Sequence, residues 1–315
     1  MTVSRPTRAT TAGRAYLDLQ NLARQLGRPT GELHQLYALE GFLARLAASP
    51  HADQLILKGG VLLAAYDARR PTRDIDLHAQ QLPGDIDDVL HLVRTVAGLA
   101  ADDGLLFDAA RATAEVIRHD DPYAGVRVTL AAELATARLR FHIDVNLGDP
   151  IQPPPQSIRL PRLLRGHIKL LGYPLPMVLA EKIVTAVQRG TANTRWRDYA
   201  DLHLLSDRHD VDGEQLSAAV TTVACYRGAV LTPLRDLLAD YAPAAQSRWA
   251  AWRRRQHLDD RLPEAFTELL GHVIAFADPV LTATATTSTW NSATRHWSAQ
   301  STPSPRVTPP VTRKC

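Results

Sequence analysis

Apolar and polar positions follow two different periods along this chain, and the change of period divides it into two parts. Residues 15–175 mix helical segments with short segments of period two, which are typical of strands, and residues 176–280 have a helical period throughout. We therefore predict an α/β (α+β) fold followed by a helical C-terminal domain. Residues 1–14, rich in Thr and Arg, are predicted to be flexible, and the Thr-, Ser- and Pro-rich residues 281–315 are predicted to be disordered.

The same pattern places the individual elements. Predicted strands cover residues 55–58, 74–78, 125–130, 138–145, 157–160 and 168–172. Predicted helices cover residues 15–27, 31–48, 61–66, 83–99, 176–189, 195–208, 213–227, 231–255 and 263–277. Pro83 is expected to begin the fourth of these helices, because proline suits the first turn. The pair Gly59-Gly60 separates the first strand from the short helix that follows it.

The composition narrows the class of protein. Hydrophobic residues make up 45% and charged residues 22% of the 315 residues, as in globular proteins. The longest apolar runs, such as 61–65, are too short to cross a bilayer, and the N-terminus lacks the apolar stretch of a secretory signal. Two cysteines, Cys225 and Cys315, make neither a disulfide framework nor a zinc site. We expect a soluble cytoplasmic protein with no membrane partner.

The basic isoelectric point, near 9.0, comes from the C-terminus. Residues 281–315 hold four of the 36 basic residues and none of the 33 acidic ones, which leaves 32 and 33 in residues 1–280. A nucleic-acid surface on the body of the protein must therefore be a local patch. The best local patch in the sequence contains Arg159, Arg162, Arg165 and Lys169.

The pattern Asp-x-Asp occurs three times, and its context separates the three. Asp85 and Asp87 stand at a helix start, and Asp210 and Asp212 flank a predicted loop, where acids are ordinary. The third pair, Asp74 and Asp76, lies on a predicted strand, so that both carboxylates share one face. Two like charges held this close repel each other, and Mg²⁺ or Mn²⁺ would neutralise them. This pair is the candidate metal site.

A third carboxylate is available on another predicted strand. Asp144 alternates with Ile143 and Val145, which places it on the polar face of its strand. It could join the metal site from a neighbouring strand. The alternative is that the three acids face solvent or pair with arginines such as Arg73, and the residues alone do not decide between the two.

The glycine pair suggests a phosphate site. Lys58-Gly59-Gly60 ends a strand and opens a helix, where glycines let backbone N–H groups approach a phosphate. A Gly-Gly pair is more often only a turn. Its position gives it weight, because the order is strand, Gly-Gly, short helix, and then the strand that carries Asp74 and Asp76.

That order resembles the active-site layout of the polymerase-β-like nucleotidyltransferase superfamily, which has a mixed sheet. Residues 57–63 and 70–77 are similar to motifs of the AbiEii family of nucleotidyltransferase toxins, which includes the mycobacterial MenT toxins. Three later segments are also similar to family motifs, at 143–150, 179–183 and 194–202. The resemblance covers about residues 35–210. It departs at Gly60, where many members of the superfamily have Ser.

The resemblance implies an enzyme that transfers a nucleotide from an NTP to the 3′ end of tRNA, with Mg²⁺ or Mn²⁺, and so blocks translation as the toxin partner of an antitoxin. It implies catalytic roles for Asp74, Asp76, Lys182 and Asp198, metal binding by Asp74, Asp76 and Asp144, and nucleotide binding by Lys58, Gly59, Gly60, Arg73 and Lys182. The residues alone also allow roles outside an active site. Lys182 could be a solvated surface lysine, and Asp198 and Asp201 could be acids that pair with Arg195 or Arg197.

Three other functions remain open from the sequence. The same fold could transfer a nucleotide to a protein side chain or a small molecule. A glycosyltransferase also uses Asp-x-Asp, but it predicts a larger parallel sheet and gives no role to Gly59-Gly60 or Lys182. The last is a catalytically inactive nucleotide-binding module.

Overall fold

The computed structural model describes residues 5–80, 85–117 and 125–299. Its helices are α1 (Thr11–Gln25), α2 (Thr30–Ala47), α3 (Gly59–Leu62), α4 (Ile86–Ala97), α5 (Leu175–Arg189), α6 (Trp196–Ser206), α7 (Gly213–Tyr226), α8 (Leu234–Leu237), α9 (Tyr241–Arg255) and α10 (Phe266–Leu281). Its strands are β1 (Leu55–Lys58), β2 (Asp74–Ala79), β3 (Leu105–Phe107), β4 (Thr113–Ile117), β5 (Gly125–Leu134), β6 (Ala137–Leu147), β7 (Gln156–Pro161), β8 (His167–Gly172), β9 (Val211–Asp212), β10 (Ser288–Asn291) and β11 (His296–Ala299).

A mixed sheet forms the centre of the N-terminal part. Its strand order is β3-β5-β6-β2-β1-β8-β7, and β4 also pairs with β5. The pairs β2–β6 and β1–β8 are parallel, and the pairs β1–β2, β5–β6 and β7–β8 are antiparallel. The predicted α/β (α+β) class with a mixed sheet is confirmed.

The two faces of this sheet differ because the strand residues alternate. One face carries Ile75, Leu77, Ile143 and Val145, which are buried. The aromatic rings of Phe42 on α2, Phe107 on β3 and Phe141 on β6 pack against one another on this side, with centroids 6.3 and 6.1 Å apart. The residues that alternate with these along the strands are polar and project from the opposite face. They include Asp74, Asp76 and Asp144. The fold therefore buries one face as core and leaves the other face for the site.

The C-terminal part is helical, and α5 packs against α6 and α7. The long helix predicted over 231–255 is wrong as one element. Two prolines divide it: Pro233 is the N-cap of the short α8, and Pro243 lies in the first turn of α9. None of the helices in the described ranges is long and apolar enough to cross a membrane.

The predicted disorder of residues 281–315 is wrong for the part of this segment that the structure describes. β10 and β11 form a hairpin that extends β9 into a three-stranded sheet. Trp290 is 1% exposed, and its indole N–H donates to the Ser206 carbonyl at 2.7 Å. Trp297 donates to the Phe276 carbonyl at 3.0 Å. The segment is rich in Thr and Ser, which led to the prediction of disorder. Its two tryptophans nevertheless supply enough apolar area to dock a short hairpin.

Smaller differences concern the ends and gaps of elements. The first helix begins at Thr11, inside the segment predicted to be flexible, because the Thr10 hydroxyl caps it by accepting from the Gly13 N–H at 3.1 Å. Pro83 lies outside the described residues, and α4 begins at Ile86 with Asp85 as its N-cap. The short strands β3 and β4 were not predicted.

The docked hairpin makes a testable difference to stability. We expect Trp297→Ala to lower the free energy of unfolding by about 1–2 kcal/mol, because the partly buried indole covers Phe276 and apolar burial contributes ~25 cal/mol per Å². Urea unfolding of the variant measures the loss. Leu106→Ala is the control, since Leu106 is 71% exposed and its removal should cost little. Equal midpoints for wild type and Trp297→Ala would show that Trp297 does not pack against Phe276 in solution.

Candidate active site

The sheet register brings the three candidate carboxylates together. Asp76 on β2 stands directly opposite Asp144 on the parallel strand β6, and Asp74 stands opposite His142. Residues opposite each other in a sheet project to the same face. Asp74, Asp76 and Asp144 therefore share the polar face, at the level where β1 ends at Lys58, the partner of Asp76 on the other side.

Gly59 allows the close approach of the turn to these carboxylates. Its φ of +68° is a left-handed conformation, and a Cβ there would overlap the Asp76 carboxylate. The turn and Asp76 thus fit together only with glycine at this position. The helix that follows, α3, is one turn long, so the backbone N–H groups of the turn are the feature suited to a phosphate rather than a helix dipole.

A hydroxyl lies beside the second glycine. A Cβ at Gly60 would stand 2.7 Å from Thr72 Oγ1, and Thr72 lines the same cavity. Gly60 lacks the hydroxyl that many superfamily members have at this position, and Thr72 was not predicted as a site residue. Thr72 stands two residues before Asp74, and only the fold places it next to Gly60.

The environment of Asp76 disfavours the ionised form of its carboxyl group. Burial raises the pKa of its carboxyl, and the nearby Asp144 and Asp74 raise it further, against the opposing charge of Lys58. A carboxylate in this position favours a bound cation, because a cation would offset both the lost hydration and the repulsion.

Asp144 is held by an arginine. Arg127 stands opposite it on β5, and its Nε and Nη2 donate to the two carboxylate oxygens, each at 2.8 Å. Arg127 was not predicted as a site residue, since the register of β5 against β6 is not visible in the pattern of either strand. Each of the two oxygens keeps a lone pair that could bind a metal, because an ionised carboxylate has about four acceptor sites and Arg127 occupies two of them.

The described residues contain no ready-made group of three His, Cys, Asp or Glu side chains arranged to hold a metal ion. Asp74 and Asp76 nevertheless fit a magnesium site of the kind that uses one or two carboxylates together with substrate phosphates. The repulsion at Asp76 and the position of both acids on the wall of the cavity support this fit.

Lys58 lies in the wall of the site and is bound by two carboxylates. Its ammonium donates to Asp149 at 3.1 Å and to Glu181 at 2.9 Å, and the residue is 6% exposed. Burial favours the neutral lysine, but Glu181, Tyr173 and Asp149 outweigh it and raise its pKa. Asp149 and Glu181 were not predicted as site residues. Both lie within segments that resemble family motifs, Asp149 in residues 143–150 and Glu181 in residues 179–183.

Lys182 and the two acids of α6 form a second network. The Lys182 ammonium donates to Asp201 at 2.6 Å and lies 3.6 Å from Asp198. Arg70 donates to both oxygens of Asp201, at 2.7 and 3.0 Å, and Arg195 pairs with Asp198 at 3.0 Å. The Lys182 side chain is 11% exposed, so it is not a solvated surface lysine.

These groups surround one cavity of about 700 Å³ between the sheet and the helical part. Its acidic lining residues are Asp74, Asp76, Asp144, Asp149, Glu181 and Asp198, and its basic ones are Lys58, Arg70, Arg127, Lys182, Arg189, Arg195, Arg197 and Arg227. The basic side chains outnumber the acids, which suits a polyanionic ligand. Arg73 is not among the described lining residues; it is exposed at the start of β2, and its carbonyl accepts from Gln35.

Known structures resemble this fold. MenT4 (Rv2826c), described as a nucleotidyltransferase toxin from Mycobacterium tuberculosis H37Rv, aligns over 82% of this chain and 98% of its own, with a TM-score of 0.51 and 19% identity. JHP933 from Helicobacter pylori aligns over 86% of this chain and 94% of its own, with a TM-score of 0.47 and 13% identity. At 19% identity, the likeness to MenT4 shows the fold alone.

Sequence comparison identifies the family. No curated protein sequence matches this chain. The sequence profile described as nucleotidyl transferase AbiEii toxin, type IV TA system, matches residues 41–272, which is well over half of the chain and includes every candidate site residue. The chain therefore belongs to the AbiEii family of nucleotidyltransferase toxins of type IV toxin–antitoxin systems.

Proposed function

We propose that this chain transfers the nucleoside monophosphate of an NTP to an RNA acceptor, the 3′ end of tRNA, and blocks translation as the toxin of a toxin–antitoxin pair. The observation that carries the proposal is the placement of Asp74 and Asp76, beside the glycine turn, on the wall of a cavity whose basic side chains outnumber its acidic ones. Membership of the AbiEii family supports the transferase chemistry and an antitoxin partner. The choice of RNA as the acceptor rests on the resemblance to the MenT toxins.

Each group has a role in this proposal. Asp74 and Asp76 would hold Mg²⁺ or Mn²⁺, and such an ion would supply positive charge to the phosphate oxygens and lower the pKa of the acceptor hydroxyl. The backbone N–H groups of Gly59 and Gly60 would bind the phosphates, and Lys182 would add a positive charge beside them. Asp198 would orient Lys182, from 3.6 Å away. The acceptor hydroxyl oxygen would form a bond to the α-phosphorus of the NTP as the bond from this phosphorus to the β-phosphate oxygen breaks, pyrophosphate would leave, and the hydroxyl proton would pass to solvent. Asp144, paired with Arg127, would carry the third carboxylate charge close to the metal.

The experiment that tests the proposal supplies the purified protein with total RNA and each labelled NTP in turn. We expect label in RNA from at least one NTP, and none after EDTA treatment, with recovery when Mg²⁺ or Mn²⁺ is added back. The reason is that Asp74 and Asp76 would contact the phosphates of the NTP through a shared cation. Full transfer in EDTA would contradict the metal-dependent mechanism.

The same experiment tests the other acceptors. Label in added protein or in small molecules, but not in RNA, would replace the RNA acceptor with one of these. No label in any fraction, with NTP bound, would favour the inactive binding module. The mixed sheet already argues against a glycosyltransferase, which needs a larger parallel sheet.

Lys182 provides a more specific test. We expect Lys182→Ala to lower NTP affinity or transfer rate roughly 30- to 150-fold, because a hydrogen bond to a charged group contributes about 2–3 kcal/mol and each 1.4 kcal/mol is a factor of about ten. Initial rates at subsaturating NTP measure the loss.

Lys169→Ala is the matched control, because Lys169 is exposed on β8 beside Arg159. It should keep the wild-type KM for NTP, while acceptor binding becomes weaker and less dependent on salt. Wild-type transfer by Lys182→Ala would remove Lys182 from the site.

A further inference from the structure

The end of the cavity that lies farthest from Lys182 along α5 differs in its side chains from the end beside the sheet. It is lined by Thr185, Gln188 and Arg189 on α5 and by Tyr226 and Arg227 at the end of α7. The three carboxylates of the sheet belong to the other wall. Tyr226 is the one aromatic residue among the described residues that line the cavity.

The helix geometry gives the length of this part. Lys182, Thr185 and Arg189 are spaced three and four residues apart, so they follow one face of α5. Seven residues of helix correspond to about 10 Å. Beyond Lys182, which is proposed to bind the phosphates, the cavity therefore continues for about the length of a ribose and its base.

The wall that carries Tyr226 is fixed by its neighbours. Arg227 donates to the Thr185 hydroxyl at 2.9 Å and lies 3.5 Å from Glu181, and the Gln188 amide donates to the Arg227 carbonyl at 3.3 Å. Glu181 in turn accepts from Lys58. The end of α7 is thus tied to α5 and to the sheet, and the ring of Tyr226 extends from a backbone that is already in place before a ligand binds.

We infer that Tyr226 is the stacking surface for the nucleobase of the NTP, with the Gln188 amide and the Arg189 guanidinium beside the edge of that base. The inference rests on the proposed function, which places the phosphates at the glycine turn and Lys182. With that end fixed, the base must lie elsewhere in the cavity. Tyr226 is the one aromatic side chain among the described residues that line the cavity, and bases stack on aromatic rings with little regard to sequence. The side chains of Gln188 and Arg189 would supply the base preference.

The test compares NTPs with inorganic tripolyphosphate, which has the same phosphates but no base. Calorimetric titrations use the full chain with Mg²⁺ and without acceptor, so that a base of the RNA cannot take the place of the base of the NTP. We expect the wild type to bind at least one NTP more tightly than tripolyphosphate. Tyr226→Ala should weaken the binding of that NTP about 5- to 150-fold and leave tripolyphosphate binding unchanged.

Two further variants keep the test independent of folding. Tyr226→Phe retains the ring and should bind NTP like the wild type, whereas Tyr226→Leu retains apolar volume without an aromatic face and should behave like Tyr226→Ala. Equal losses for NTP and tripolyphosphate, or unchanged NTP binding in both ringless variants, would overturn the inference while the proposed function stands. A wild type that binds neither ligand would overturn both.

Discussion

Asp76→Asn is expected to reduce nucleotidyl transfer about 1,000-fold or more while the protein stays folded. The carboxylate would hold the metal that stabilises the charge developing on the transferred phosphate, and a loss of about 4 kcal/mol corresponds to that factor in kcat/KM. Asparagine keeps the shape and removes the charge. Initial rates with the NTP and acceptor identified by the labelling experiment measure the effect.

Although Asp76→Asn should lose activity, we expect it to lose no stability. Burial and the neighbouring carboxylates Asp74 and Asp144 raise the pKa of Asp76, so the ionised form costs free energy in the metal-free protein. The melting temperature of metal-free Asp76→Asn should therefore equal or exceed that of the wild type. Added Mg²⁺ should raise the melting temperature of the wild type more than that of the variant.

The control is another member of the same short motif. Asp87 belongs to a second Asp-x-Asp pattern, but it is exposed in the first turn of α4, away from the cavity. Asp87→Asn should keep both activity and the metal-induced rise in melting temperature. If Asp76→Asn kept wild-type activity, Asp76 would not be a metal ligand. In bacteria, the wild type should slow growth on expression and Asp76→Asn should not.

Local patterns were sufficient for much of the fold. The alternation in residues 74–77 and 141–145 predicted which side chains face the core, and the register of β2 against β6 agrees with it. The Gly59-Gly60 turn was predicted at the end of a strand, and it is there. These features depend on residues close together in sequence, so periodicity could identify them.

Contacts between distant segments could not be predicted in this way. Arg127 meets Asp144 only through the pairing of β5 with β6, and Lys58 meets Glu181 across 123 residues of chain. The hairpin of β10 and β11 docks through two tryptophans in a segment whose composition is otherwise typical of disorder. In each case the partner is specified by tertiary packing, which a single sequence does not display.

The last expected result concerns what joins the helical part to the sheet. Asp201 on α6 is fully buried and binds two cations from different elements. Arg70 comes from the segment before β2, and Lys182 comes from α5. Burial alone would raise the pKa of Asp201, but Arg70 and then Lys182 outweigh it and lower the pKa below its usual 3.8. The ionised carboxylate therefore stabilises the fold at neutral pH.

We expect Asp201→Asn to lower the free energy of unfolding by about 3–5 kcal/mol, because it leaves the charges of Arg70 and Lys182 buried without their partner. Urea unfolding at pH 7 measures the loss, and Asp18→Asn is the control. Asp18 pairs with Arg8 in an exposed ion pair, which contributes at most about 1 kcal/mol.

The dependence on pH separates this charge effect from a packing effect. A carboxyl group with a lowered pKa in the folded state adds stability above its unfolded pKa, 3.8, and loses that contribution as the pH falls through the folded value. The difference between wild type and Asp201→Asn should thus be constant near neutral pH and shrink below pH 3.8. A loss as small as that of Asp18→Asn, or one that persists undiminished in acid, would show that Asp201 does not join α5, α6 and the sheet through its charge.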